Sequence, residues 1–216
     1  MAEDLFIHGL QYIGSLMNVI IIPLATIIVG RKLLREKKVT GKLNDVRAST
    51  FFIFFSFSFL VLLEFLLRLG VYTTPDLANF YGGNYRSFNI YSLVTGLIVS
   101  MGITMVTLAN RWDFLQFTSL FFYGGMILLY VFTGFDAMLE PYIYIAGGGS
   151  IVFLYFTAFR VKDNGALAMA IFFTLAFLPV VLDMALLTGV SAILYNVVIL
   201  IFSLGWFKPF KQEVIS

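Results

Sequence analysis

The chain has 216 residues, 60% of them hydrophobic and only 12% charged, with a formal net charge of +2 and a mean hydropathy of +0.95. Soluble domains carry about 25% charged residues, so this composition excludes a water-facing globule, and the absence of cysteine excludes a disulfide scaffold. What remains is an all-α, polytopic membrane bundle.

A helix crosses the hydrocarbon core with about 20 apolar residues. Seven such runs follow one another. The first, Leu5–Gly30, holds His8 near its start and Asn18 near its middle. Its Pro23 predicts a kink that frees the carbonyl of Val19. A basic stretch from Arg31 to Arg47 follows. The second run, Thr50–Tyr72, carries a phenylalanine stripe too wide for one core face, which reads as lipid-facing or as covered by a partner protein. It also carries Glu64 and Arg68 at i,i+4 spacing, acid first, the favourable order on a helix. A connector from Thr73 to Arg86 leads to the third run, Ser87–Ala109, which includes Asn89. The fourth is Phe114–Thr133, with Gly124 and Gly125. The fifth, Pro141–Phe159, contains Gly147, Gly148 and Gly149, read as close helix packing or as a hinge. The sixth, Ala166–Leu187, contains Pro179, a second expected kink, and Asp183. The seventh, Val190–Phe207, is the shortest and contains Asn196. Thr188 and Gly189 give the hairpin signal before it. None of the runs alternates in polarity, so they read as helices and not as barrel strands.

Basic residues set the expected orientation. Twelve of the 14 fall in the connections after runs one, three, five and seven, and only Arg68 and Arg86 fall on the other side. Basic connections stay in the cytoplasm, so the N-terminus is expected outside and the C-terminus inside, in a plasma membrane. Nucleic acid is not an expected partner, because the cations are spread along one rim.

An internal repeat is also legible. Phe54 to Leu60 aligns with Phe172 to Leu178, and one insertion at Pro179 places Glu64 opposite Asp183. Ser87, Tyr91 and Val94 align with Ser191, Tyr195 and Val198. Tyr12-Ile13-Gly14 aligns weakly with Tyr144-Ile145-Ala146. The chain then divides into a three-helix repeat (5–109), a linker helix (114–133) and a second three-helix repeat (141–207), related by an axis along the membrane normal. This plan resembles the SWEET-type sugar transporters. Seven helices with an outside N-terminus also resemble the microbial rhodopsins, but a rhodopsin needs a lysine in its seventh helix and Val190–Phe207 has none. Both likenesses are of architecture, and architecture alone does not carry function.

Ionisable groups inside a membrane are costly and mark functional candidates. Glu64, Arg68, Asp183 and His8 all fall towards the outer side, and Asn89 lies with them. Together they suggest an outward-facing pocket for a small solute, a proton or a cation. An internal Glu64–Arg68 ion pair is the plainer reading. Asn18 and Asn196 lie near the bilayer middle and suggest an interhelical hydrogen bond or a solute path.

One histidine and no cysteine leave no metal or cofactor site, and no nucleotide-binding fingerprint occurs. An enzyme is not expected. Three function classes remain: a transporter or channel, a non-catalytic subunit of a larger membrane complex, and a seven-helix sensor that signals through a partner. Besides the lipid bilayer, the expected company is a homo-oligomer or such a complex.

Overall fold

The computed structural model describes residues 2–68, 90–133, 136–182 and 184–210. Within them the chain forms seven α-helices: α1 (Ala2–Thr40), α2 (Asp45–Arg68), α3 (Ile90–Asn110), α4 (Thr118–Thr133), α5 (Asp136–Val161), α6 (Asn164–Leu182) and α7 (Ala185–Leu204). A single 3-10 turn, Asp113–Leu115, precedes α4. No strand occurs among the described residues. Six helices are long and apolar enough to cross a membrane, the build of an integral membrane protein. The apolar stretch of α6, Asn164–Pro179, is shorter.

Local chemistry ends the helices where the sequence changes. Gly41, at φ +72°, stops α1, and its N–H donates to the Lys37 carbonyl at 2.9 Å. Asn44 then opens α2 by accepting the Arg47 N–H at 3.0 Å. Asp163 does the same for α6, accepting from Ala166 at 2.8 Å. Two non-glycine residues, Arg111 and Lys162, take the left-handed conformation after α3 and α5. The wrap-back bonds of the following residues, Trp112 to Thr107 and Asp163 to Ala158, hold them there. Gly205 (φ +86°) closes α7.

The connection between α6 and α7 lies at Met184, not at Thr188-Gly189. Both of those residues are inside α7. A Cβ on Gly189 would come within 2.9 Å of the backbone of Leu10 and Gln11, so this glycine serves a close helix crossing and not a turn. Gly14, across the same crossing, would put a Cβ 2.7 Å from that of Ala192. The helix that follows is a full 20 residues, so the shorter apolar segment is the sixth rather than the seventh.

Neighbouring helices close into a ring. In order round it stand α1, α2, α3, α5, α6 and α7, and α7 packs back on α1. Helix α2 also touches α6 across the middle, and α4 stands outside the ring against α3 and α5. The main core joins Ile22, Ile53, Phe54, Met105, Leu154, Met169, Phe172 and Ile199, all almost fully buried. A smaller cluster, Val99, Phe122, Met126, Leu139 and Ile143, seats α4. Tyr142 stacks on Phe122 at 5.1 Å and donates to its carbonyl at 3.1 Å.

The phenylalanine stripe of α2 divides between two environments. Phe54 is fully buried and Phe57 packs on the core, while Phe52, Phe55 and Phe59 are exposed. The three glycines of α5 form no break, because the helix runs unbroken through them and only Gly147 meets the side chain of α3, at Val99.

Candidate functional site

Inside the ring lies a cavity of about 580 Å³. Every one of the six ring helices contributes to its wall. The lining positions fall between Gln11 and Asn18 on α1, Phe57 and Glu64 on α2, Thr95 and Val99 on α3, Ile143 and Ile151 on α5, Phe172 and Pro179 on α6, and Thr188 and Tyr195 on α7. In each helix this is the part remote from the basic connections. The cavity therefore occupies the half of the bundle opposite the basic rim.

Its wall mixes polar and aromatic side chains. Helix α1 presents Gln11, Ser15 and Asn18, spaced i, i+4, i+7, so all three share one face. Glu64 of α2 stands beside them. Thr95, Ser150 and Thr188 add hydroxyls, and Ser150 turns its own hydrogen onto the Gly147 carbonyl at 2.8 Å. The same wall holds Phe57 on the helix of Glu64, Phe172, Phe173 and Phe177 on α6, Tyr144 on α5 and Tyr195 on α7. Among the described lining residues Glu64 is the only carboxylate, and there is no Lys, Arg or His.

Aromatic rings close the cavity towards the basic rim. Phe172 lies edge-on to Phe57 at 5.4 Å, to Tyr195 at 5.6 Å and to Phe54 at 6.0 Å. Phe54 in turn meets Phe202 at 6.3 Å. Such edge-to-face contacts add about 0.5–1.5 kcal/mol each beyond the area they bury.

Asn196 is fully buried and supports the wall from behind Asn18. Its Nδ2 donates to Asn18 Oδ1 and to the Ala192 carbonyl. Among the described residues its Oδ1 has no hydrogen-bond partner. Further along α1, Thr26 and Ser58 share a hydrogen bond of 2.7 Å between α1 and α2.

At the basic rim the ring is tied shut. Lys32 Nζ donates to the Ser203 carbonyl at 2.7 Å, where the C-terminal carbonyls of α7 attract a cation. Asn164 holds Phe210 from both sides, donating to its carbonyl at 3.1 Å and accepting its N–H at 2.9 Å. Arg160 lies 5.9 Å from the Trp112 ring. Arg47 and Glu36 form an ion pair between the α1 end and α2.

Of the residues singled out in the sequence, Glu64, Asn18 and Pro179 line the cavity, and Asn196 supports its wall. His8 is exposed and does not line it. Pro23 lies within α1, which continues through it, and is likewise not in the wall. Asp183 and Asn89 lie outside the described residues, as does the side chain of Arg68, the last residue of α2. Gln11 and Ser15 were not singled out, although the i, i+4, i+7 polar stripe they form with Asn18 is visible in an otherwise apolar run. The aromatic wall carried no such signal, because phenylalanine is common throughout the chain.

Comparison with family models, with curated proteins and with solved structures gave no match.

Proposed function

We propose that this chain is a membrane-embedded binding and transport protein that admits a small solute or cation to the ring cavity from the end opposite the basic rim. The observation that carries this reading is the cavity itself: six helices line about 580 Å³ of space with a carboxylate and two amides on its wall. A bundle whose only task is to be rigid has every reason to fill such a space, since voids cost packing energy.

Counting α6, the chain crosses the bilayer seven times, with the basic rim in the cytoplasm of a plasma membrane and the cavity outside. The ring order supports the two-repeat plan. Exchanging α1, α2 and α3 for α5, α6 and α7 returns the same neighbours, and α4 is the linker left outside. The walls of α1 and α5 keep the sequence register as well: Gln11, Ser15 and Asn18 correspond to Ile143, Gly147 and Ser150. The walls of α2 and α6 do not keep theirs, because Phe57 lines the cavity and its counterpart Leu175 does not. In this reading the two triplets rock about the α2–α6 contact, and the aromatic floor parts to release the solute.

Flux into liposomes tests this. Purified protein is offered labelled choline and labelled mannitol, and a proton gradient is read with entrapped pyranine. Saturable flux of one of them, lowered at least tenfold in Glu64→Gln and in Asn18→Ala, is the expected result. Wild-type flux no greater than that of empty liposomes, together with other chains at fixed stoichiometry in native mass spectra, would instead favour the subunit reading.

A further inference from the structure

A second cavity, of about 220 Å³, lies between Tyr12–Val19 of α1 and Val61–Phe65 of α2. Ser15, Asn18, Val61 and Glu64 line both cavities. The second is bordered by Tyr12 and Leu16, which are 71% and 46% exposed on the outer face of the ring. The α1–α2 cleft thus runs from the side of the bundle to the polar wall of the central cavity. On membrane-crossing helices that side meets hydrocarbon, where an amide and a carboxylate are expensive. A ligand that arrives through the lipid gives them a use.

The chemistry of the walls narrows that ligand. A carboxylate and no cationic side chain stand among the described lining residues, with six aromatic rings in the same wall. In a low dielectric the carboxylate favours a positive group strongly, and ring faces attract it further. An anion would meet Glu64 with no cationic side chain among the described lining residues to balance it. The cleft itself is apolar beyond the shared wall, through Leu16, Val19 and Phe65. We propose that the site takes a single-chain amphiphilic amine, its ammonium group at Glu64 and Asn18 and its alkyl chain in the α1–α2 cleft, reached sideways from the membrane. Glu64 is engaged within the protein as well, and a carboxylate has about four acceptor positions, so it accommodates a second donor. The inference rests on the reading of the ring cavity as a binding site.

Isothermal titration on the full chain in nanodiscs, with empty nanodiscs subtracted, tests it. The probes are ethyl-, butyl- and octylammonium, the alcohols of equal chain length, and the alkyl sulfates. The expected dissociation constants for the ammonium series fall by up to roughly fourfold per buried methylene. The alcohols bind at least tenfold more weakly, and the sulfates do not bind. Glu64→Gln weakens all three ammonium ions alike. Ser15→Phe narrows the shared wall and weakens the octyl compound selectively, and Leu16→Trp at the exposed mouth does the same should Ser15→Phe not fold. An octylammonium with a terminal diazirine labels residues 12–19 or 61–65. Ammonium ions no tighter than alcohols, affinity independent of chain length, or label elsewhere would overturn the proposal. If the amines fail while choline or mannitol flux still depends on Asn18, the amphiphile is wrong and the binding reading stands. If no probe binds and none moves, both fall.

Discussion

Asn196 and Gly189 are the two residues of α7 whose environments leave least room for change. The Asn196 amide bridges α7 to Asn18 of α1 at full burial. A double-mutant cycle with Asn18→Ala and Asn196→Ala, read by thermal melting in detergent, should give a coupling of about 0.6 kcal/mol and at most about 1.7 kcal/mol. Gly189 faces backbone, which cannot swing aside as a side chain can. Gly189→Ala should destabilise by about 1–3 kcal/mol, whereas Gly124→Ala meets nothing within 4 Å and should leave the melting temperature unchanged or slightly raised. Equal effects at both sites would show that the α1–α7 crossing is looser than these distances imply.

Helix ends are where the sequence-based boundaries moved most. The fifth apolar span begins at Pro141 as expected, but its helix starts earlier, at Asp136, so Pro141 lies inside α5 and has no N–H to donate to the preceding turn. The Thr188-Gly189 pair reads as a turn in sequence, since a glycine's need for φ > 0 and its need for a close neighbour look the same there. The contact with Leu10 and Gln11 comes from residues nearly 180 positions away and is invisible locally. The α7 terminus offers a test at this scale. Lys32→Met removes the cation over the last carbonyls, and amide exchange at Gly205 and Trp206 should accelerate by about two- to fivefold, equivalent to roughly 0.3–1 kcal/mol. Asn164→Ala deletes both bonds to Phe210, so limited chymotrypsin cleavage after Phe207 should quicken while the helical circular dichroism signal stays constant. Unchanged cleavage would mean that the Phe159–Phe210 ring contact, at 5.9 Å, holds the segment alone.

Across the whole molecule, composition and hydropathy were enough to read the helical class and the apolar spans, because lipid solvation imposes one period and one length on each. Half of the site was legible too. Glu64 and Asn18 stand out as polar groups in apolar runs, and both line the cavity. The other half was not, since a phenylalanine on the cavity wall and one facing lipid, such as Phe57 and Phe55, have the same local signature. Only the ring order separates them. In the transport reading the aromatic floor is a barrier as well as a wall. Phe172→Ala should open it, raising leak of small ions in liposomes while lowering stability by about 3–5 kcal/mol. A tight vesicle containing a stable Phe172→Ala protein would count against the floor as the closure.

The seam between α1 and α7 has a consequence for how the chain is made. Asn18 meets Asn196 across 178 positions, and Lys32 meets Ser203 across 171. Of the seven helices described, α1 is made before the others and α7 after them, so α1 waits for α7. While α2 to α6 are being made, the face of α1 that carries Gly14, Asn18 and Lys32 lacks its final neighbour. The ring, and with it the cavity, comes into being only when α7 is in place, so a nascent chain stalled before Ala185 is a set of inserted helices without a site.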